Sequence, residues 1–187
     1  MKTPLLVLLT LALTACQTSA EFPVTSPYFQ IPIGSRLVLH QPIEIPPNAA
    51  TVRLQFGKIV SRAHTQEFEP VCVFESKLVG EAAQRIAPDS FEITRVRRDS
   101  SMLSAQAAPS SGLIKTFWRG DVGSSRQYYK TEMSLRSTKQ PQILYMTCQY
   151  AWEPGLGSFD DPRPLTIAEI RQALGDYFSL RLAGINQ

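Results

Sequence analysis

The stretch YYKTEMSLRSTKQPQILYMTCQYAW, residues 128–152, contains the clearest structural pattern of the chain. In its first half, every second residue is apolar or threonine, namely Tyr129, Thr131, Met133 and Leu135. In its second half, one side of the alternation carries Leu144, Met146, Cys148, Tyr150 and Trp152. A period of two is typical of half-buried strands, and the polar connection over 137–142 favours an antiparallel pair. This pair indicates a β fold.

Shorter strand-like stretches precede the pair and are separated by turn residues. They are Arg36–His40, Val52–Val60 continuing past Gly57, Val71–Leu78, Phe91–Val96 and Leu113–Trp118. Two stretches lack a period: Asp99–Gly112, rich in serine and alanine, predicts a long surface loop, and Arg119–Arg126 predicts a turn. The 14 prolines favour strands and loops over long helices. We therefore predict a mainly β fold, either an antiparallel sandwich or a partly closed barrel.

Near the C terminus, the period changes to that of a helix. Thr166 and Glu169 have the spacing of a capping box, in which each side chain accepts a hydrogen bond from the backbone N–H of the other residue. Gly175 fits the left-handed conformation that ends many helices. Beyond it, apolar residues alternate with polar ones again, at Phe178, Leu180 and Leu182. We predict one short C-terminal helix over 166–174 and a closing strand over 177–182, with one continuous helix as the alternative.

The first sixteen residues have the three-part form of a secretory signal peptide. Lys2 supplies a positive charge, an apolar run covers Leu5–Leu13, and two small residues precede Cys16. The run is too short to span a bilayer, which takes about 20 apolar residues. The motif Leu13-Thr14-Ala15-Cys16 resembles the lipobox of bacterial lipoprotein precursors, and the alternative is an ordinary secretory signal with a cysteine there by chance. The Cys-x-Phe-Glu pattern at Cys72–Glu75 resembles proteobacterial envelope lipoproteins of unassigned role.

The resemblance to lipoprotein precursors implies a membrane anchor. In that family the thiol of Cys16 receives a diacylglyceryl group, the signal peptide 1–15 is removed, and the new amino group is acylated. Each buried methylene contributes about 0.8 kcal/mol, so three acyl chains hold a protein on a membrane effectively permanently. Gln17, where an aspartate would favour the inner membrane, implies the periplasmic face of the outer membrane. Residues 16–34 then predict a flexible tether, and 35–187 predict a single periplasmic β-rich domain.

Once Cys16 is assigned to the lipid, two cysteines remain. Cys72 and Cys148 each lie on the apolar side of a predicted strand, and in an oxidising periplasm they predict a disulfide between neighbouring strands or between two sheets. Buried free thiols are one alternative. A metal site with His40 and His64 is another, but structural zinc sites usually have closely spaced ligand pairs, which this chain lacks. We therefore predict no metal site.

The composition and the remaining motifs give no indication of catalysis. The net charge of +3 is close to neutral and does not indicate nucleic-acid binding. No nucleophile elbow, phosphate-binding loop or metalloprotease motif accompanies the two histidines, which we expect at the surface. Glu153, Asp160 and Asp161 offer three carboxylates, whereas calcium takes six or more oxygen ligands, so a solvated turn is favoured. We predict no enzyme activity and no cofactor.

Two sets of side chains remain as candidate binding features. Basic residues could form a patch for anionic lipid or a partner, although a solvated strand face has the same composition; they are Arg95, Arg97, Arg98, Lys58, Arg62 and Arg85. Tyr128, Tyr145 and Trp152 could line a ligand groove, or pack in the core with their polar ends at its edge.

Two functional hypotheses follow. The first is a non-enzymatic envelope interaction or accessory protein, which is held to the membrane by its N-terminal lipid and docks on a protein partner. The second is a module that binds a lipid, a glycan or a small molecule in the aromatic groove.

Overall fold

Eight strands form one antiparallel sheet that curls into a half-barrel. The computed structural model of the chain describes residues 22–104 and 125–185. The strands lie side by side in the order β10 (Phe178–Arg181), β1 (Arg36–Leu39), β7 (Asp89–Ser104), β8 (Ser125–Arg136), β9 (Ile143–Trp152), β5 (Val71–Ser76), β3 (Thr51–Gln55) and β4 (Lys58–Val60). A second sheet pairs β2 (Ile43–Ile45) with β6 (Gln84–Ile86). The predicted mainly β class is confirmed, and of its two architectures the partly closed barrel is the one observed.

A short helix, α1 (Ile167–Leu174), bridges the opening of the half-barrel. It contacts β10 near one edge of the sheet and β3 and β5 near the other edge. Its apolar face is buried in the core, through Ile167, Ile170, Ala173 and Leu174. The core therefore lies between the inner face of the sheet and this helix.

The prediction for the C-terminal segment is confirmed, and the continuous-helix alternative is excluded. Thr166 caps α1, and Glu169 completes the predicted capping box. Gly175 follows the helix with a φ of 55°, and the chain continues through a short 3-10 turn into strand β10. The change of period in the sequence thus marks a real change of secondary structure.

Strands β8 and β9 form the predicted antiparallel pair, and β9 also pairs with β5. In the second pair Cys72 lies directly opposite Cys148, and the two form a disulfide. Both cysteines are fully buried on the inner face. The bond therefore links neighbouring strands of one sheet, which decides between the two placements left open by the sequence.

The predicted continuous strand over Val52–Val60 is wrong, because the chain reverses within it. Strands β3 and β4 form a tight hairpin, with Leu54 opposite Ile59. The two turn residues, Phe56 and Gly57, have φ values of 51° and 72°. Such a turn usually carries asparagine or aspartate before the glycine. Phenylalanine at that position hides the turn signal in the sequence.

The predicted loop over Asp99–Gly112 is wrong in its first part. Strand β7 continues to Ser104 and stays paired with β8 along this length, with Asp99 opposite Lys130 and Leu103 opposite Arg126. Residues 105–112 lie outside the described residues, as does the predicted strand Leu113–Trp118. The predicted turn Arg119–Arg126 is wrong in its last two residues, which belong to β8.

The segment before β1 packs on the sheet. Ile31 is 3 % exposed and belongs to the core, and Phe29 packs against that core. Gly34 and Ser35 continue the pairing of β1 with β7 through backbone hydrogen bonds to Ile93. The packed unit thus includes residues that precede position 35.

Candidate functional site

The structure does not bring the three predicted groove aromatics together. Tyr128 and Tyr145 lie on the outer face of the sheet, but their partners on the facing strands, Ala151 and Ser134, show that they are six ladder positions apart. That separation is about 20 Å. Trp152 lies on the opposite, inner face, where its Nε1 donates to the carbonyl oxygen of Phe159 at 3.2 Å. A groove shared by all three side chains is therefore absent.

Tyr128 instead takes part in a polar groove that crosses the outer face of the sheet. The groove consists of two adjoining cavities of about 180 and 280 Å³, which share Tyr128 and Gln149. The first is also lined by Arg53, Arg62, Thr65, Glu67, Val71, Tyr150 and Ala151, and the second by Asp99, Ser101, Leu103 and Lys130. We call this feature the outer-face groove. Because its residues come from β3, β5, β9, β8 and β7, it runs across the strands.

One wall of the groove is the segment between β4 and β5, which is fixed by a buried amide. Gln55 is 2 % exposed, and its side chain donates to the carbonyl of Gln66 and accepts from the backbone N–H of the same residue, both at 2.9 Å. The carbonyl of Glu67 accepts from the N–H of Ala151 at 2.6 Å. Hydrogen bonds from the Gln55 side chain and the Ala151 backbone therefore hold the wall to β3 and β9.

The charges of the groove are partly compensated and partly open. Glu67 is paired with Arg126 at 2.6 Å, and its carboxylate also lies 3.4 Å from the hydroxyl of Tyr128. In contrast, Arg53 and Arg62 form no ion pair with any carboxylate of residues 22–104 and 125–185. This end of the groove can therefore accept an anionic group. Thr65 also lines it, but its hydroxyl donates to the carbonyl of Ser61 at 3.0 Å.

Arg62 and Tyr128 were candidate binding residues in the sequence, but Arg53 and Gln149 were not. Arg53 and Gln149 occupy the polar positions of two alternating strands, and such positions look like ordinary solvent-facing residues. The only indication in the sequence is that each residue alternates with apolar neighbours, which assigns both to the outer face. That β3 and β9 lie one strand apart follows from the tertiary structure alone.

Both histidines lie at the surface and contact a serine. His40 Nε2 is 2.9 Å from Ser179 Oγ, and His64 Nδ1 is 2.7 Å from Ser61 Oγ. Neither histidine pairs with a carboxylate within the described ranges. A base that activates a serine is itself oriented by a third group in the usual catalytic triad. These two contacts lack that group.

The acidic residues considered for cation binding are dispersed. Glu153 lies 3.6 Å from Arg126, while Asp160 and Asp161 are exposed. Over residues 22–104 and 125–185, no group of three histidine, cysteine, aspartate or glutamate side chains has the geometry to hold a metal ion. The three carboxylates therefore do not form one site.

The predicted basic patch is split between the two faces of β7. Arg95 and Arg97 are exposed, and Arg97 pairs with Asp99 at 3.1 Å. Arg98 lies on the inner side, where its guanidinium donates to the backbone carbonyls of Pro27 and Phe29. Alternation along the strand thus separates arginines that are adjacent in the sequence.

Among the described residues there is no helix with the length and apolar character needed to cross a membrane.

Comparison of the chain with protein-family models, with curated proteins and with solved structures found no match.

Proposed function

We propose that this protein is a lipoprotein of the bacterial envelope, anchored through Cys16 to the periplasmic face of the outer membrane, and that it binds a protein partner without catalysing a reaction. The anchor is inferred from the motif Leu13–Cys16 and from Gln17. The binding site is inferred from the outer-face groove.

The observation that carries the proposed binding role is the open positive charge of the groove. Arg53 and Arg62 lie at one end and pair with no carboxylate of residues 22–104 and 125–185, and Tyr128 lines the same cavity. Arginine binds carboxylates with two parallel hydrogen bonds, and tyrosine offers a rigid contact surface with a polar tip. A segment of a partner protein that carries acidic side chains therefore fits this end.

A second candidate function uses the same groove. The cavity lined by Arg53 and Tyr128 has a volume of about 180 Å³, below the roughly 300–1,000 Å³ of typical ligand pockets, so only a small polar molecule would fit. An anionic glycan unit or another small acid would then bind where we place the acidic side chains of a partner. The two functions differ in whether the bound species can be captured as a protein.

The test of partner binding is site-specific photo-crosslinking in cells. A photo-reactive residue at Thr65, on the rim of the groove, is compared with one at Arg85, an exposed position on β6. We expect a discrete crosslinked protein from position 65 only. The double variant Arg53→Glu/Arg62→Glu should reduce that product roughly tenfold, since each exposed ion pair contributes up to about 1 kcal/mol, whereas Arg85→Glu should not.

Two results would count against the proposal. A product that survives the double charge reversal would place the partner elsewhere. No product from position 65, together with binding of a small anion to the purified protein, would favour the second function.

The anchor is tested separately. Cys16→Ser should leave an unlipidated precursor, and recovery of that variant in the outer-membrane fraction would contradict the lipid assignment.

A further inference from the structure

The segment that follows the proposed anchor is fixed to one end of the sheet. Arg98, on the inner side of β7, donates to the carbonyl of Pro27 at 3.0 Å and to that of Phe29. Two residues further along, Ile31 is buried in the core. The chain therefore reaches the domain at the part of β7 that extends beyond β1, and it is held there by a side chain and by apolar packing.

Apolar side chains are exposed at this same end. Phe22 and Tyr28 are 49 % and 51 % exposed, although their rings pack on each other with centroids 5.7 Å apart. Tyr28 lines a cavity of about 360 Å³ together with Ser100 of β7. The next residues of that strand, Met102 and Leu103, are 62 % and 60 % exposed. We call Phe22, Val24, Tyr28, Met102 and Leu103 the apolar end of the domain.

Cations accompany the apolar end. Arg98 and Lys130 line the same cavity as Tyr28, together with Asp99. Lys130 pairs with Glu132 at 2.9 Å, and Arg98 donates to backbone carbonyls, so both cations are already bound within the protein. Aromatic rings together with arginine and lysine are the side chains that concentrate at the level of lipid headgroups.

The length of chain to the anchor limits where this end can lie. Phe22 is six positions after Cys16, and even a fully extended chain spans only about 20 Å over six steps. If the acyl chains of Cys16 are in the bilayer, Phe22 and its ring partner Tyr28 stay close to the bilayer surface. A soluble partner would have to enter that narrow space to cover them.

We propose that the apolar end is a membrane-contacting face, which lies against the headgroup layer of the bilayer that holds the anchor. This inference rests on the proposed lipidation of Cys16. The contact orients the domain, so that the opposite end of the sheet points away from the membrane. The protein is then not free to swing on its N-terminal segment.

Fluorescence quenching in vesicles tests this orientation on the full-length, processed protein. Met102→Cys is labelled with an environment-sensitive dye, and the matched control is Val79→Cys. Val79 is 65 % exposed and follows β5, whose end pairs with the start of β9. Met102 is level with Trp152, the last residue of β9, because both lie opposite Gln127. The ten residues of β9 separate the two sites by about 30 Å.

We expect the label at position 102 to show a blue-shifted emission in vesicles of phosphatidylethanolamine and phosphatidylglycerol, and to be quenched by lipids that carry a doxyl group near the headgroup. The label at position 79 should show neither effect. Replacing both Phe22 and Tyr28 with serine should cause loss of the quenching at position 102. Leu103→Cys provides the same measurement from the neighbouring residue if Met102→Cys is poorly produced.

The mass of the purified protein separates this proposal from that of the anchor. If the mass includes the lipids and the label at position 102 remains as accessible to aqueous iodide as that at 79, the membrane-contacting face is wrong and the anchor stands. If the lipids are missing but position 102 is quenched, the face binds membranes without the anchor. If the lipids are missing and no quenching occurs, both proposals fail.

Discussion

The carboxylate of Glu169 joins helix α1 to the segment that precedes it. This carboxylate accepts two hydrogen bonds from the guanidinium of Arg163, at 2.6 and 2.9 Å, and one from the backbone N–H of Thr166, at 2.7 Å. Arg163 also donates to the carbonyl of Pro164. One carboxylate thus fixes both the first turn of α1 and the segment that leads into it.

Replacing this carboxylate should destabilise the fold. Glu169→Gln keeps an acceptor for the helix cap but loses the ion pair, so we expect the free energy of unfolding to fall by about 1–2 kcal/mol. Urea denaturation measures the change. Glu92→Gln is the control, because Glu92 forms an ion pair with Arg136 at the surface and should matter little. Equal effects of the two substitutions would contradict the role given to Glu169.

The same contact makes stability depend on pH. Burial by itself raises the pKa of Glu169, but the hydrogen bonds from Arg163 and Thr166 and the charge of Arg163 outweigh it and lower the pKa below its ordinary value. A lowered pKa stabilises the folded state above the unfolded pKa of about 4.3, and this contribution is lost as the pH falls through the folded pKa. The difference in stability between the wild type and Glu169→Gln should therefore shrink in acid. If the stability difference between the two proteins is the same at pH 7 and pH 3, the pH dependence assigned to Glu169 is wrong.

Single residues also show why Tyr128 and Trp152 do not line one groove. Tyr128 and Trp152 both look like half-buried aromatics in the sequence. Strand alternation sends them to opposite faces once β8 and β9 are in register. The sequence shows which residues alternate within each strand. It does not show which residue of β8 lies opposite which residue of β9.

At the scale of elements, two glycines join the β3–β4 hairpin to the end of α1. The backbone N–H of Gly57 donates to the carbonyl of Ala173 at 3.1 Å. A Cβ atom added to Gly175 would lie 2.2 Å from the Cα of Gly57. The contact therefore leaves no room for a side chain on Gly175.

Gly175→Ala should be strongly destabilising, by about 3 kcal/mol, since it combines an unfavourable positive φ with a steric overlap. Gly34→Ala is the matched control, because Gly34 also has a positive φ but has no atom within 4 Å of an added Cβ. We expect the control to lose about 1 kcal/mol. Urea denaturation measures both losses, provided that the dependence of the unfolding free energy on urea concentration is the same for the two variants. Similar losses would show that the overlap is relieved by a shift of the hairpin.

Strand β7 shows how an element can be longer than its sequence pattern. Over Phe91–Ile93 it packs on the core, and its apolar residues are visible in the sequence. Beyond Asp99 both faces are exposed, so no alternation remains. This part is a strand because β8 pairs with it. Pairing of this kind depends on the backbone, which the side-chain pattern does not report.

At the scale of the whole molecule, the disulfide closes a long loop of the chain. Cys72 and Cys148 are 76 positions apart and hold β5 to β9 in the middle of the sheet. A cross-link of this span reduces the entropy of the unfolded chain, which stabilises the fold by up to about 4 kcal/mol in the chain-entropy model.

The double variant Cys72→Ala/Cys148→Ala should unfold at a markedly lower denaturant concentration than the oxidised wild type. Chemical reduction of the wild type should lower its midpoint in the same direction. Reductant should have no effect on the double variant, which serves as the control. Equal midpoints for the variant and the oxidised protein would show that the disulfide does not stabilise the domain.

The sequence by itself determined the local properties of this protein. Alternation, capping and glycine signals predicted the mainly β class, the pair β8–β9, the helix α1 and the strand after it, because these depend on neighbours along the chain. The cysteine pair was predicted by elimination after Cys16 was assigned to a lipid. Only the tertiary structure decided the reversal at Phe56–Gly57, the extension of β7 and the strand order that forms the outer-face groove. Those features depend on which strands lie side by side and in which register, and backbone pairing between distant segments leaves little trace in the residues of either one.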